Sequence, residues 1–228
     1  MPAATAHERP LQVHYLIDGP EDAFASLILA HGAGAAMDSD GMNALVRVLA
    51  TAGFRVARFE FAYMEARRLG ARKPPPKAEL LRDEYLAAID AVSLPGPLFI
   101  GGKSMGGRVA SMIADPLHRE GRVAGVLCLG YPFHPPAKPQ QLRTTHLEAL
   151  ATPCLICQGT RDAFGTREEV ASYRLSRQIE LFWLEDGDHD LRPRRKLTGL
   201  SHADHLDAMA AKVRDWARRI LTESGARR

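Results

Sequence analysis

Apolar and polar positions along this chain switch between two periods, and the switches mark out its elements. Leu11 to Ile17 alternates apolar and polar residues, the two-residue period of a half-buried strand, and Asp18-Gly19-Pro20 closes it as a turn. Ser26 to Ala30 is a continuous apolar run, as in a strand covered on both faces. From Asp40 to Ala52, the residues Met42, Leu45, Val46 and Leu49 recur at helical spacing, and Gly53 suits the stop. Phe54 to Phe61 reads as a strand, and Ala62 to Lys77 as a loop rich in arginine and proline. Glu79 to Val92 is a helix with Leu81, Tyr85, Ala88, Ile89 and Val92 on one face. Pro97 to Gly101 predicts a strand and Ser104 to Ala114 a helix, followed by a strand over Val123 to Leu129. A polar, proline-rich passage from Pro132 to Ala151 leads to a further strand, Pro153 to Gln158. Thr166 with Glu169 fits a capping box opening a helix to about Leu175. Gln178 to Leu184 is the last strand, and Leu206, Met209, Val213, Trp216 and Ile220 stripe the final helix.

Strands that alternate with helices predict an α/β protein with a mostly parallel central sheet and helices on both faces. The opening two strands, joined by a tight turn, are expected to pair antiparallel. No repeat or low-complexity linker interrupts the chain, and 228 residues suit one core. The expectation is a single domain over 1–228, with its core at about 11–221.

Composition adds mostly exclusions. A 46% hydrophobic and 25% charged chain is of the ordinary globular kind, and a net charge of +3 is too small to argue for a nucleic-acid partner. No run reaches the roughly 18 apolar residues that a membrane span needs. The stretch Met1 to Pro10 lacks the apolar segment of a secretory signal, so a cytoplasmic location is expected. Cys154 and Cys157 spell C-x-x-C, but residues three apart on a strand point to opposite faces. With Cys128, they read as buried free thiols of a reducing compartment rather than a metal or redox pair.

The chemistry concentrates after Leu98-Phe99-Ile100. Gly102-x-Ser104-x-Gly106 spells G-x-S-x-G, a nucleophile held on a sharp turn between strand and helix. Glycines suit that turn because side chains two positions either side would collide with strand and helix. The same residues partly match a phosphate-binding G-x-x-x-x-G-K-[ST] loop. Pro97 stands where its first glycine belongs, and Leu98 to Ile100 favour a buried strand over an open loop, which disfavours nucleotide binding.

In an open α/β sheet, ligands bind beyond the carboxyl ends of the strands. Past such ends lie His31-Gly32-Ala33, Ser104, Asp162 (in Gly159-Thr-Arg-Asp162) and His189 (in Asp186-Gly-Asp-His189). In this order of nucleophile, acid and histidine the chain resembles the α/β-hydrolases. Its compactness and its His-Gly-Ala-Gly element resemble the small, lidless, dienelactone-hydrolase-like branch, over about residues 11 to 221. That branch often carries a cysteine nucleophile; Ser104 shifts the expectation toward serine-esterase chemistry. The resemblance implies an α/β-hydrolase fold without a separate cap domain, for which the segment between Tyr131 and Pro153 is too short.

It further implies cleavage of a small-molecule carboxylic ester or thioester through an acyl-enzyme. Ser104 would attack, His189 would take its proton, and Asp162 would fix the imidazole tautomer. Backbone N–H groups of Ala33 and Met105 would form the oxyanion hole, with Gly102, Gly106 and Gly32 shaping elbow and loop. No cofactor or metal is expected, nor a nucleic-acid or membrane partner. Asp188 and Asp190 flank His189, but sequence neighbours rarely fold back on the same ring. His134 is the one credible rival histidine; His202 and His205 are expected to start the last helix, exposed. As a hypothesis, Arg67, Arg68, Arg72 and Lys73, with Arg192 to Lys196, attract anionic acyl groups; solvated loops are the competing reading. The direction of Lys103 is not readable from the sequence. Fold alone does not establish activity, so a catalytically inactive binding module is the alternative function.

Overall fold

A computed structural model describes residues 13–225. Its strands are β1 (Tyr15–Asp18), β2 (Ala25–Ala30), β3 (Phe54–Phe59), β4 (Leu98–Lys103), β5 (Gly125–Leu129), β6 (Cys154–Gly159) and β7 (Ile179–Leu184). They pair as one seven-stranded sheet in the order β1-β3-β2-β4-β5-β6-β7. Every pairing is parallel except that of β1 with β3. The helices are α1 (Asp40–Thr51), α2 (Ala62–Arg68), α3 (Arg82–Ala91), α4 (Met105–Arg119), α5 (Arg167–Val170), α6 (Arg195–Thr198) and α7 (His202–Gly225).

The strand period divides the core. Leu27 and Leu29 of β2 face a layer made by α1 and α7, including Met42, Leu49, Met209, Val213 and Trp216. Ile28 and Ala30 face the other layer, with Tyr85 of α3 and Val109 and Ile113 of α4. Each large apolar side chain fully withdrawn from water contributes about 2–3 kcal/mol. Because β2, β4, β5 and β6 are buried at every position or nearly so, their sequences are continuous apolar runs rather than alternating ones. The single sheet and its helices form the expected α/β architecture, with no separate cap among the described residues.

Several expectations are corrected. β1 does not pair with β2, because β3 lies between them and Arg58 of β3 forms an ion pair with Asp18 at 2.7 Å. Residues 11 and 12 of the first predicted strand lie outside the described residues. Ala62–Arg68 is a helix rather than a loop: Ala, Met, Glu and Arg all favour helix, and the bonds from Met64 N–H and Glu65 N–H to the Phe61 carbonyl start it. Gly70 and the run Pro74-Pro75-Pro76 end the segment and give the stretch as a whole the composition of a loop. The Thr166 capping box forms in both directions, but its helix stops at Val170. Ser172 Oγ donates to the Glu169 carbonyl at 2.6 Å, the local competition by which serine ends helices.

The predicted helix from Glu79 divides into a 3-10 turn, Ala78–Leu81, and α3. What positions the site is the order reversal at the centre of the sheet. From β2 the chain crosses to β3 on one side, while from β4 it proceeds to β5 on the other. The carboxyl ends of β2 and β4 therefore flank a crevice of the kind in which α/β sheets bind ligands.

Candidate active site

Ser104 sits between β4 and α4 with φ 51° and ψ −113°, in backbone space that L residues rarely occupy. The turn is held from both sides: Ser104 N–H donates to the Leu129 carbonyl at 3.0 Å, and Arg108 N–H to the Ser104 carbonyl at 3.1 Å. A Cβ at Gly102 would lie 2.3 Å from the Ala30 carbonyl oxygen, and one at Gly106 would meet the same atom at 2.3 Å. Both positions therefore demand glycine. Gly32 does not, since a Cβ there would find its nearest neighbour at 3.6 Å, an ordinary contact.

Ser104, Asp162 and His189 come together from three loops. His189 Nε2 lies 2.9 Å from Ser104 Oγ, and Nδ1 lies 2.8 Å from Asp162 Oδ2. An ionised carboxylate only accepts, so Nδ1 carries the imidazole proton and Nε2 is left to accept from the serine hydroxyl. Asp162 is fully buried. Its Oδ2 also accepts from Gln158 Nε2 at 2.9 Å and its Oδ1 from Phe164 N–H at 2.8 Å. Those neutral donors compensate for removing a carboxylate from water and fix its plane.

Phe164 does a second thing. Its ring lies on the His189 imidazole, centroids 4.2 Å apart and planes 32° from parallel. Neither Phe164 nor Gln158 stands out in the sequence. The only signal was a polar residue ending an otherwise apolar strand, with an aromatic two residues after the aspartate.

The loop after β7 is pinned from behind. Lys103 Nζ donates to the His189 carbonyl at 2.7 Å and lies 3.4 Å from Asp190 Oδ1. Burial lowers the Lys103 pKa while Asp190 opposes the shift. His202 Nε2 lies 3.1 Å from the Asp190 carbonyl, and His205 Nδ1 lies 2.9 Å from that of Leu191. His205 is 3% exposed, contrary to expectation, because the first turn of α7 tucks under this loop.

Two other histidines stand apart from the site. His134 is buried against the Pro135 carbonyl and Glu169, away from Ser104. His146 approaches another serine, Ser111, at 2.9 Å. That hydroxyl is buried and donates to the Arg108 carbonyl at 2.8 Å, so its proton is not offered to the imidazole. His146 itself is held down to about 4 by burial and by the nearby Arg108 charge, and so stays neutral.

His31 follows β2, fully buried, and leads into Gly32-Ala33. Phe61 N–H donates to its Nε2 at 3.2 Å, so Nδ1 bears the proton and donates to the Gly32 carbonyl at 2.7 Å. Burial lowers its pKa, which keeps this donor–acceptor pattern fixed. Met105 N–H begins α4, where helix N–H groups have no intrahelical partner and the helix dipole favours negative charge.

A cavity of about 510 Å³ opens beside Ser104. Ala33, Ala35, Met42, Leu45 and Phe164 give it apolar walls, and Lys103, Asp40, Asp190, Arg192 and His202 its polar lining. Three of the six arginines in the two basic clusters are engaged elsewhere. Arg68 pairs with Glu60 at 2.8 Å and with Asp38, Arg194 pairs with Asp186, and Arg67 donates to backbone carbonyls. Of the two clusters, Arg192 alone lines the cavity, and Asp40 and Asp190 line it too. With Lys103, the lining carries two basic and two acidic side chains, which leaves it without a net formal charge.

The C-x-x-C cysteines fall on opposite faces of β6, Cys154 in one core layer and Cys157 in the other, and both are free. Among the described residues no group of three or more His, Cys, Asp or Glu side chains is placed to hold a metal ion. No helix there is long and apolar enough to cross a membrane.

Known proteins share this architecture. A dienelactone hydrolase from Anabaena variabilis superposes with a TM-score of 0.66 at 21% identity, covering 91% of each chain. A lidless α/β serine hydrolase from Xanthomonas campestris gives 0.65 at 18% identity, over 91% of this chain and 88% of that one. The esterase domain of a Rhodothermus marinus protein gives 0.62 at 18% identity, over 92% and 99%. At such identities the likeness concerns the fold. The family described as alpha/beta hydrolase domain matches residues 23–218 at the level of sequence. With that match spanning most of its length, the chain belongs to the α/β-hydrolase family.

Proposed function

We propose that the protein is a serine hydrolase that cleaves a carboxylic ester or thioester through an acyl-enzyme intermediate. The observation that carries this reading is the unbroken line from Ser104 Oγ through the His189 ring to Asp162 Oδ2, at 2.9 and 2.8 Å. In this reading Ser104 Oγ attacks the substrate carbonyl carbon while its proton passes to His189 Nε2. Asp162 stabilises the imidazolium that results. The tetrahedral oxyanion is received by the N–H groups of Met105 and Ala33, and its collapse expels the alcohol or thiol, which takes the proton from Nε2. Water then repeats the sequence on the acyl-enzyme and releases the acid.

No step calls for a metal or cofactor. The apolar walls of the cavity favour an uncharged acyl or alkyl group, since burying an unpaired charge there would be costly. Cytoplasmic action belongs to the same proposal, supported by three free, buried thiols.

The test is labelling with a fluorophosphonate, followed by peptide mapping, on the wild type and on Ser104→Ala. The expected result is an adduct on Ser104 that the variant does not form. A well-folded wild type that forms none would overturn the reading and favour a non-catalytic binding module.

A further inference from the structure

Tyr63 and Arg67, from the short helix that follows β3, converge on the loop carrying the proposed oxyanion donor. We infer that these two side chains are positioning residues for the oxyanion hole, holding the Gly32-Ala33 segment so that its N–H groups face Ser104. This rests on the serine-hydrolase reading and adds to it a part that neither lines the cavity nor touches the triad.

The argument is one of peptide planes. In a trans peptide the C=O and the following N–H point in opposite directions. Whatever holds the Gly32 carbonyl therefore aims the Ala33 N–H the other way, and whatever holds the Ala33 carbonyl aims the Gly34 N–H. Both carbonyls are held. Gly32 O accepts from His31 Nδ1 at 2.7 Å and from Tyr63 Oη at 3.3 Å. Ala33 O accepts from Tyr63 Oη at 3.2 Å and from an Arg67 guanidinium nitrogen at 3.2 Å. The single phenolic proton is thus shared between two successive carbonyls in a three-centre bond, and the guanidinium closes the second.

Neither donor is free to wander. Arg67 also donates to the Lys73 carbonyl, at 3.3 Å from Nε and 3.1 Å from a terminal nitrogen. Its guanidinium carbon lies 5.4 Å from the Tyr63 ring centroid, within cation–π range. The Tyr63 ring in turn stacks on Phe61, 16° from parallel at 6.4 Å, and tilts against His31 at 5.7 Å. Burial pushes the Tyr63 hydroxyl up to about 12, so it remains a donor throughout the working range of pH.

A loop rich in glycine and alanine, 31–35, has few side-chain contacts of its own. Without outside anchors, its N–H groups would need to be ordered at the moment of reaction, and preorganised donors are what make an oxyanion hole effective. His31 supplies one anchor from within the loop. Tyr63 and Arg67 supply the others from a helix that the sequence disguises as an arginine-rich loop.

The experiment compares Tyr63→Phe, Arg67→Met, Arg67→Lys and the double variant Tyr63→Phe/Arg67→Met with the wild type, after a melting curve on each. The readouts are kcat and KM on p-nitrophenyl butyrate. A third is the inhibition constant of an aryl trifluoromethyl ketone, whose serine adduct places an anionic oxygen in the hole. The double variant is expected to lose about tenfold in kcat, less than the 10²–10³ of a deleted donor, with KM within about twofold. The ketone should weaken by the same factor, and Arg67→Lys should recover most of the Arg67→Met loss. A purely structural role would move the melting curve without this pairing of kcat and ketone affinity. Unchanged kcat and ketone affinity in the double variant, or a rise in KM alone, overturns the inference.

Amide hydrogen exchange at Ala33 and Gly34 is read on the same samples and does not depend on catalysis. It should quicken in the double variant, and unchanged exchange overturns the tether. If the wild type fails to form a Ser104 adduct, the hydrolase reading falls, and exchange alone decides whether Tyr63 and Arg67 hold the loop.

Discussion

Replacing Gly106 by alanine tests the elbow, the oxyanion hole and the packing between them in a single methyl group. The added Cβ would lie 2.3 Å from the Ala30 carbonyl oxygen, 2.7 Å from its carbon and 2.8 Å from the His31 carbonyl oxygen. All three are backbone atoms, so no side chain can rotate away. Since Cβ atoms essentially never approach closer than 3.0 Å, the first turn of α4 and the end of β2 must separate by some 0.7 Å or more. Met105, with one proposed donor, opens that turn, and His31 runs straight into Gly32-Ala33 with the other. The separation therefore opens the hole itself.

Overpacking of this kind costs about 1–3 kcal/mol. For a chain of this size that corresponds to a fall in Tm of roughly 2–12 °C. A displacement approaching 1 Å at reacting groups costs on the order of a hundredfold. The expected outcome is thus a folded variant with a lowered Tm and a kcat on p-nitrophenyl butyrate reduced roughly 30- to 100-fold. Gly32→Ala, whose Cβ meets only ordinary contacts, should change Tm by less than about 2 °C. Wild-type kcat in folded Gly106→Ala would refute both the steric reasoning and the assignment of the donors.

Other outcomes follow from the same contacts. Asp162→Asn keeps the shape of the residue but permits the wrong imidazole tautomer, and should lower kcat by about 10⁴; a loss below tenfold would remove Asp162 from the mechanism. Phe164→Ala removes the ring stacked on His189, a contact of about 0.5–1.5 kcal/mol, and should slow fluorophosphonate labelling by about two- to tenfold while Ser104 remains the labelled residue. His146, whose folded pKa of about 4 lies below its ordinary 6.5, contributes stability that is present above pH 6.5 and lost as pH falls toward 4. His146→Gln should therefore flatten part of the decline in Tm over that window, and an unchanged difference between the two proteins from pH 7 to pH 4 would contradict the assignment.

Most of the fold was legible because burial on both faces of the sheet writes itself as uninterrupted apolar runs. β2, β4, β5 and β6 fall where those runs predict them, and α1 and α7 where the helical stripes do. Site geometry was legible where chemistry forces residue type: Gly102 and Gly106 cannot carry a side chain, and Ser104, Asp162 and His189 meet as their order implied. What the sequence hid has physical causes. The pairing of β1 depends on which edge is free at the sheet, and a tight turn suggests the wrong neighbour. In α2, helix formers precede a glycine and three prolines, and composition averaged over the whole segment conceals the helix.

The partners of the basic clusters were hidden for a related reason. A run of arginines reads as a solvated or anion-seeking face until its acceptors are known. Here those acceptors are far apart in sequence, with Glu60 and Asp38 for Arg68, Asp186 for Arg194 and the Ala33 carbonyl for Arg67.

Backbone strain gives an independent view of where the molecule is constrained. Among the described residues, positive φ outside glycine occurs at Ser104, Asp186 and Leu191, at 51°, 56° and 62°. One is the proposed nucleophile, and the others bracket His189. Such conformations cost about 1–3 kcal/mol each and persist only where the surroundings over-determine them. The surroundings are identifiable here. Asp186 is gripped by the Arg194 side chain and main chain, and the Leu191 side chain is buried in the layer of α1 and α7. Between them, the carbonyls of His189, Asp190 and Leu191 meet Lys103, His202 and His205 in turn. A loop free to relax would return these residues to negative φ and swing the imidazole off Ser104. Three side chains holding three successive carbonyls prevent that return. The rigidity beneath the histidine therefore comes from α7 and from the residue preceding the serine, so that one end of β4 supplies both the hydroxyl and a clamp on the ring facing it.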